Sequence, residues 1–201
     1  MQRTRPRLRP EALSVAFVAG AVLGTLWDQF HVISGTLRYA EPTLAGQPWW
    51  VPLQFGGAFA LAVAAFAWLG DPAPRRASPR VAGIETIWMT AVYATTAFLS
   101  DYPWALAVVM LVLLAARSAD LATTFAASPI PAATTIVAGP LYEASLIAAG
   151  QFEYATSQLG EIPVWLPLLW VNGILFVARL TDALMQRFGM RRPEPEQPET
   201  S

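Results

Sequence analysis

The stretch ALSVAFVAGAVLGTLWDQFHVI, residues 12–33, is apolar over almost its whole length and decides the fold class. As a helix with about 1.5 Å rise per residue, it is long enough to cross roughly 30 Å of hydrocarbon. The composition agrees, because 55% of residues are hydrophobic and only 13% are charged. Five further helices are predicted at Trp49–Leu69, Val81–Ser100, Pro103–Ala122, Pro131–Tyr154 and Trp165–Gln186. We therefore predict an all-α integral membrane protein, a six-transmembrane-helix bundle.

The distribution of positive charge predicts the orientation of this bundle. All 13 basic residues are arginine, and with six spans only Arg38 falls on the side opposite the others. The positive-inside rule then places both termini in the cytoplasm. Interface anchors are predicted at the outer helix ends, at Trp49, Trp50, Trp104 and Trp165.

Three segments follow from this topology. Residues 1–11 form a basic cytoplasmic N-terminus, residues 12–186 the membrane domain, and the Pro/Glu-rich residues 187–201 a disordered cytoplasmic tail. A cleaved signal peptide is the alternative for the N-terminus, but the apolar run is too long for one. The Ala- and Arg-rich composition is typical of a GC-rich bacterium, so the bacterial cytoplasmic membrane is the expected location.

Several classes of chemistry are excluded by what the sequence lacks. There is no cysteine, and His31 is the only histidine, so disulfides, thiolate catalysis and a multi-histidine metal site are excluded. No catalytic motif such as GxSxG, HExxH or a P-loop is present, and no basic stripe suggests nucleic acid. We expect no enzyme activity and no cofactor.

Small residues recur every four positions in two of the predicted helices. Ala16, Gly20 and Gly24 form one seam, and Gly56 begins another that continues through two alanines. Such seams let helix backbones approach closely in lipid. We expect packing within the bundle, although a homo-oligomer could use the same surfaces.

Two opposite charges on neighbouring helices are predicted to form a structural ion pair. Counted from the helix ends, Glu85 and Arg117 reach about the same depth, roughly 8 Å from the inner surface. Asp120, three residues beyond Arg117, could be a second partner. Pairing is the least costly way to keep such charges near the membrane.

Polar groups at greater depth need a reason, because they are costly in hydrocarbon. Asp28 and His31 lie one turn apart on the same face in the outer third. They could hydrogen-bond to each other or contact a ligand. Glu143 lies near the middle of its helix, after Pro140, which should kink it. It could be a protonated ligand donor or bond to a neighbouring helix, and Gln54 and Asn172 leave the same choice open.

Two groups of motifs resemble the Insig family, the insulin-induced gene proteins of the endoplasmic reticulum. The first is QPWWVP at residues 47–52, followed by GGA at 56–58. The second is GQFEY at residues 150–154, followed by WLP at 165–167 and then Asn172-Gly173. Their order and spacing are similar to those of the family, and the similarity extends over roughly Leu13 to Leu184.

The resemblance implies six transmembrane helices with both ends cytosolic, and a sterol or lipid sensor rather than an enzyme. Members bind oxysterol in the membrane and hold partner membrane proteins such as Scap. By this resemblance Trp104 lies near a sterol-contacting position of the family. Asp120 most nearly matches an aspartate that the family uses for partner binding.

We therefore interpret the chain as a non-enzymatic membrane lipid-binding protein or sensor. The ligand would be sterol-like or a neutral lipid such as diacylglycerol, held in an intramembrane cavity. Its head group would contact Asp28, Gln54 and Glu143, and its apolar body Trp104, Tyr142 and Phe152.

Two alternatives remain open. A small proton-coupled transporter could use Asp28, His31 and Glu143 as relay groups, but no repeat between the two halves is evident, which counts against it. A subunit that holds a membrane-protein partner is the other alternative.

Overall fold

A computed structural model describes residues 8–69 and 79–190. The predicted tail from residue 191 and the first seven residues lie outside this range. The described residues form seven helices and two short strands: α1 Pro10–Ser34, β1 Leu37–Tyr39, α2 Val51–Leu69, α3 Pro79–Phe98, α4 Pro103–Ala116, α5 Ser118–Ala127, α6 Pro129–Ala148, β2 Phe152–Tyr154 and α7 Leu166–Arg187.

The helices have the length and composition of membrane spans. By these criteria α1, α2, α6 and α7 can each cross a membrane, and the bent pair α4–α5 gives a fifth span. Helix α3 is long enough, but Arg80, Glu85 and several threonines lower its hydropathy. The described residues thus give four to five spans by length and composition, against the six predicted.

Helix α7 lies at the centre and packs against every other helix. Its middle turns are buried, with Asn172, Ile174 and Leu175 each 0% exposed. The other helices leave many large apolar side chains exposed on the outside of the bundle, including Val18, Leu61 and Val112. Apolar surface on the outside is what a bilayer requires.

The seam predicted on the first helix packs inside the bundle, against α2. A Cβ added to Gly24 would lie 2.4 Å from the ring of Phe55, and one added to Gly20 2.5 Å from the Phe55 carbonyl oxygen. In return, Gly56 of α2 accommodates the ring of Phe17. These glycines allow the close approach of the two helices.

Two predicted helices end earlier than expected. The fourth, predicted to reach Ala122, breaks at Arg117 (φ −111°, ψ 15°), and α5 continues at an angle of 71°. The apolar run stops at Ala116, and Arg117 turns toward Glu85. The fifth, predicted to reach Tyr154, ends at Ala148 because Gly150 has φ +70° and the next residues pair as a strand.

The strands β1 and β2 form an antiparallel ribbon that joins the two long loops. Leu37 lies opposite Tyr154, Arg38 opposite Glu153, and Tyr39 opposite Phe152. The ribbon is extended at both ends by equivalent bonds, from the Ala40 amide to the carbonyl of Gln151 (3.0 Å) and from the Ala155 amide to the carbonyl of Thr36 (2.9 Å). It is symmetric about the Arg38–Glu153 pair.

This symmetry reflects an internal repeat, which corrects the expectation that none exists. Residues 35–52 align with residues 150–167 without a gap, so each position matches one 115 residues later, as 35 matches 150. The identical pairs are Gly35/Gly150, Tyr39/Tyr154, Ala40/Ala155, Leu44/Leu159, Pro48/Pro163, Trp50/Trp165 and Pro52/Pro167. The unit α1–β1–α2 thus corresponds to α6–β2–α7.

Candidate functional site

Asp28, near the outer end of α1, accepts two hydrogen bonds from the loop that follows. The Tyr39 hydroxyl donates to Asp28 Oδ2 at 2.8 Å, and Gln47 Nε2 donates to the same oxygen at 2.9 Å. The side chain is 5% exposed. These bonds tie the loop between α1 and α2 to the helix and meet part of the cost of burying a carboxyl group.

Glu143 of α6 has an equivalent environment. The Tyr154 hydroxyl donates to Glu143 Oε2, and Trp170 Nε1 of α7 donates to Oε1 at 2.8 Å. Tyr154 follows Glu143 by 11 residues, as Tyr39 follows Asp28. Each repeat therefore contributes one buried acid that is held by its own strand tyrosine.

Glycines set the positions of the aromatic neighbours in the same repeated manner. Gly24 faces Phe55 in the first repeat, and Gly139 faces Trp170 at the matching positions of the second. A Cβ at Gly139 would lie 2.1 Å from the Trp170 ring. The missing side chain thus lets the indole come close enough to α6 to bond Glu143.

The strand tyrosines act as hydrogen-bond donors. Burial, followed by the charge of Asp28, raises the pKa of Tyr39 well above its usual range. Burial, followed by the charge of Glu143, does the same to the pKa of Tyr154. Both hydroxyls therefore keep their protons at any physiological pH, as donation to the acids requires.

The two acids line one cavity of about 70 Å³, here named the polar cavity. Of the six residues predicted to contact lipid, it brings together Asp28, Gln54, Tyr142, Glu143 and Phe152. Tyr39, Tyr93 and Tyr154 lie in its wall. The buried Oε1 of Gln54 accepts no hydrogen bond from the described residues.

An apolar cavity of about 80 Å³ adjoins the polar one. The two share Phe55, Ala58, Tyr93, Leu169 and Trp170 as walls. Beyond these, the apolar cavity is lined mainly by Trp27, Phe59, Ala62, Met89, Phe176 and Val177.

The polar cavity reaches the outside of the bundle between α2 and α6. Ala58 of α2 and Tyr142 of α6 both line it and are both exposed, Tyr142 by 45%. In a bilayer these residues would face lipid. The two cavities together therefore have an apolar body, a polar end and a lateral opening.

Two tryptophans do not lie where the sequence predicts. Trp104 is 65% exposed at the start of α4 and lines neither cavity, so it does not join the predicted lipid contacts. Trp165, predicted as an interface anchor, is 0% exposed. Its ring packs edge-on against Tyr154 and against the ring of His31, because the loop that carries it folds over the bundle.

His31 does not bond Asp28 among the described contacts, which corrects one of the two sequence alternatives. Its Nε2 lies 2.9 Å from Thr96 Oγ1 of α3. Since the Thr96 hydroxyl donates to the Tyr93 carbonyl, Nε2 is the donor in this pair. Asn172 Oδ1 accepts from Trp88 Nε1 at 3.0 Å, which makes this amide a bond between helices α3 and α7.

A second polar cluster lies at the break between α4 and α5. Arg117 donates to both carboxylate oxygens of Glu85, at 2.7 and 2.6 Å, and stacks over the Trp88 ring. This contact joins the two residues for which the sequence predicts an ion pair. Asp120 accepts from Arg117 and from Arg179 of α7, each at 3.0 Å, and stays 43% exposed.

Sequence reasoning missed the residues that hold the two acids. Tyr39, Gln47, Tyr154 and Trp170 all bond Asp28 or Glu143, and none was singled out. The signal that could have found three of them is the 115-residue offset, which superimposes the two acids and the two tyrosines and matches Trp170 with Phe55.

Comparisons with known proteins place this architecture among relatives. No family model matches the chain. An Insig protein homolog of Mycolicibacterium vanbaalenii is 34% identical over 103 residues, which is 48% of this chain and 48% of that protein. The aligned part thus spans about half the length of that relative.

Two solved structures have the same fold over a longer range. A cross-linked trimer of a cysteine variant of MvINS matches with a TM-score of 0.72 and 26% identity, and the mycobacterial Insig homolog MvINS from Mycobacterium vanbaalenii with 0.67 and 25%. Each match covers 94% of this chain and 100% of the solved chain. The chain is therefore an Insig-like, multi-pass integral membrane protein, related to a mycobacterial homologue of that family.

Proposed function

We propose that the protein is a non-enzymatic lipid-binding protein that senses a sterol-like or neutral lipid, such as diacylglycerol. The observation that carries this proposal is the pair of adjoining cavities, one polar and one apolar, with exposed Ala58 and Tyr142 at the edge. The polar end of a lipid fits beside Asp28, Gln54 and Glu143. Its apolar body fits toward Phe59 and Phe176.

The size of the cavities supports sensing rather than static storage. Their volumes, about 70 and 80 Å³, are well below the roughly 300 Å³ of a typical ligand pocket. A whole lipid therefore requires α2 and α6 to move apart. A ligand that binds only the separated arrangement shifts the population toward it, which is the requirement for a sensor.

The proposal includes the topology predicted from arginine. Helix α3 is the sixth span, and the ribbon lies opposite both cytoplasmic termini in a bacterial cytoplasmic membrane. Residues 12–186 form the membrane domain between the two cytoplasmic segments. In support, α1 and α6 both end at the ribbon and therefore run in the same direction.

Blocking the opening tests the proposed function. Ala58→Trp places a large ring where the cavities open, so we expect binding of radiolabelled dioleoylglycerol or cholesterol to the purified protein to fall at least about tenfold, a loss of about 1.4 kcal/mol. Leu61→Trp on the same helix is the matched control, because Leu61 is 73% exposed and lines neither cavity. Equal binding by both variants and the wild type would refute the site.

The internal repeat favours a second candidate, a small proton-coupled carrier. Many carriers are built from repeats with the substrate site between them, and here the acids of the two repeats share one cavity. In this case Asp28 and Glu143 would take up protons, with His31 beside them. Uptake into proteoliposomes that depends on an imposed pH gradient would favour this candidate over sensing.

We also propose that the protein forms a homo-oligomer or holds a membrane-protein partner. The solved relative was crystallised as a cross-linked trimer, which supports self-association. The exposed part of Asp120 is our candidate contact for a partner. Mass measurement in detergent by light scattering tests the oligomer, and co-purification with wild type and Asp120→Ala tests the partner.

A further inference from the structure

The polar cavity presents hydrogen-bond acceptors that come from both repeats. Asp28 enters from α1 and Glu143 from α6, at matching positions, and Gln54 adds its Oε1 from α2. The protein donors to the acids are all neutral: two tyrosine hydroxyls, an amide and an indole. Among the described residues that line this cavity none is basic.

This balance of groups sets what can enter. An anionic head group would face two carboxyl groups without a cation, which is unfavourable at low dielectric. A head group with acceptors alone would leave Gln54 Oε1 unpaired, at a cost comparable to a lost hydrogen bond. The lining therefore selects a head group that donates.

The route of entry separates a hydroxyl from an ammonium group. The opening between α2 and α6 is bordered by Ala58 and Tyr142, which would face hydrocarbon. A charged ammonium passing through this opening loses its hydration, at a cost of several kcal/mol. A hydroxyl costs much less, and the polar cavity has room for a group of only a few heavy atoms.

We propose that the polar cavity recognises one free hydroxyl of a lipid, held between the pseudo-equivalent acids Asp28 and Glu143 with Gln54 as a third acceptor. This inference rests on the proposed lipid-binding function and defines the ligand class as lipids with an unblocked hydroxyl and no charge on the head group. The two acids act as half-sites of one contact.

A series of single-chain lipids with the same tail tests this inference. Oleyl alcohol, oleyl acetate, oleylamine and oleate compete with radiolabelled dioleoylglycerol for the purified full-length protein. We expect the alcohol to compete at least about tenfold better than the acetate, since one satisfied acceptor is worth about 1–3 kcal/mol. Oleate should compete worst, and the amine should be weaker than the alcohol.

Variants of the three acceptors complete the test. Gln54→Leu copies the residue at the matching position 169, and the Gln54 Oε1 makes no bond that folding would lose. It should reduce the preference for alcohol over acetate while the protein still binds dioleoylglycerol. Asp28→Asn and Glu143→Gln should reduce the preference to a similar extent, and Glu153→Gln on the exposed ribbon should leave it unchanged.

The outcomes separate the two proposals. If the acetate competes as well as the alcohol, or if oleylamine competes better, the hydroxyl assignment is wrong while lipid binding stands. If dioleoylglycerol and all four competitors fail to bind the wild type, both the inference and the proposed function are wrong. If Gln54→Leu keeps the full preference for the alcohol, Gln54 is not part of the contact.

Discussion

At the scale of single residues, the absence of a side chain at Gly139 decides where Trp170 lies. We expect Gly139→Ala to push the indole away from Glu143 and to destabilise the protein by about 1–3 kcal/mol. Gly57→Ala in α2 is the control, since nothing lies within 4 Å of its added Cβ, and it should be neutral or slightly stabilising. Thermal unfolding in detergent measures both. Equal midpoints for the two variants would contradict this role of Gly139.

The bond from His31 to Thr96 gives a second prediction at this scale. Thr96→Val keeps the shape of the side chain but leaves the buried imidazole donor without its acceptor. We expect a loss of about 1–3 kcal/mol in the free energy of unfolding. Thr95→Val is the matched control, because the Thr95 hydroxyl is exposed and bonds only the carbonyl of Ala91 in its own helix. A Thr96 variant as stable as the Thr95 variant would show that the bond contributes nothing.

How far residue-scale reasoning reaches is clear from the two acids. Depth counting singles out Asp28 and Glu143, because an acid in hydrocarbon is costly wherever its helix packs. It cannot find their partners Tyr39 and Tyr154, which lie in segments without helical periodicity. Tyr154 was assigned to the end of a helix, so its side chain was expected to point elsewhere.

At the scale of elements, the cluster around Arg117 holds the broken span to its neighbours. Glu85 and Arg117 are nearly buried, with side chains 6% and 11% exposed. Glu85→Gln leaves the guanidinium short of charge, so we expect it to cost roughly 3–5 kcal/mol of stability. Glu153→Gln is the control, since its pair with Arg38 is exposed and spans 3.8 Å, and it should cost at most about 1 kcal/mol. Similar losses measured for both variants would rule out this role.

The break at Arg117 and the early end of α6 show why element boundaries resist prediction. An apolar run gives the minimum length of a helix, but its end depends on which residues gain more from tertiary contacts. Arg117 gains two bonds to Glu85, and Phe152 gains a partner strand 113 residues away in the chain, at Tyr39. Neither contact is visible in a local window of sequence.

At the scale of the whole molecule, the topology gives a prediction that a cysteine-free chain makes simple to test. Single cysteines at Glu41 and Ser157 should react with a membrane-impermeant maleimide on intact cells, because both flank the ribbon. Cysteines at Glu11 and Gln186, all four positions being exposed, should react only after lysis. If Glu11 and Gln186 positions differ in accessibility, the termini lie on opposite sides and the number of spans is odd.

The internal repeat belongs to this scale too, and it unites the fold with the site. The same 115-residue offset relates two helix pairs, two strands, two acids and two tyrosines. The sequence holds this information, but seven identities in 18 positions stand out only when the whole chain is compared with itself. The opening between α2 and α6 requires three-dimensional packing and could not be predicted.

The central claim is that the bundle binds one class of lipid through its paired cavities. Native mass spectrometry of protein purified from membranes, with identification of the released lipid, tests it most directly. We predict one neutral, hydroxyl-bearing lipid at a fixed stoichiometry in the wild type and in Leu61→Trp, and its loss in Ala58→Trp. A random mixture of bulk phospholipids in all three proteins would contradict the account.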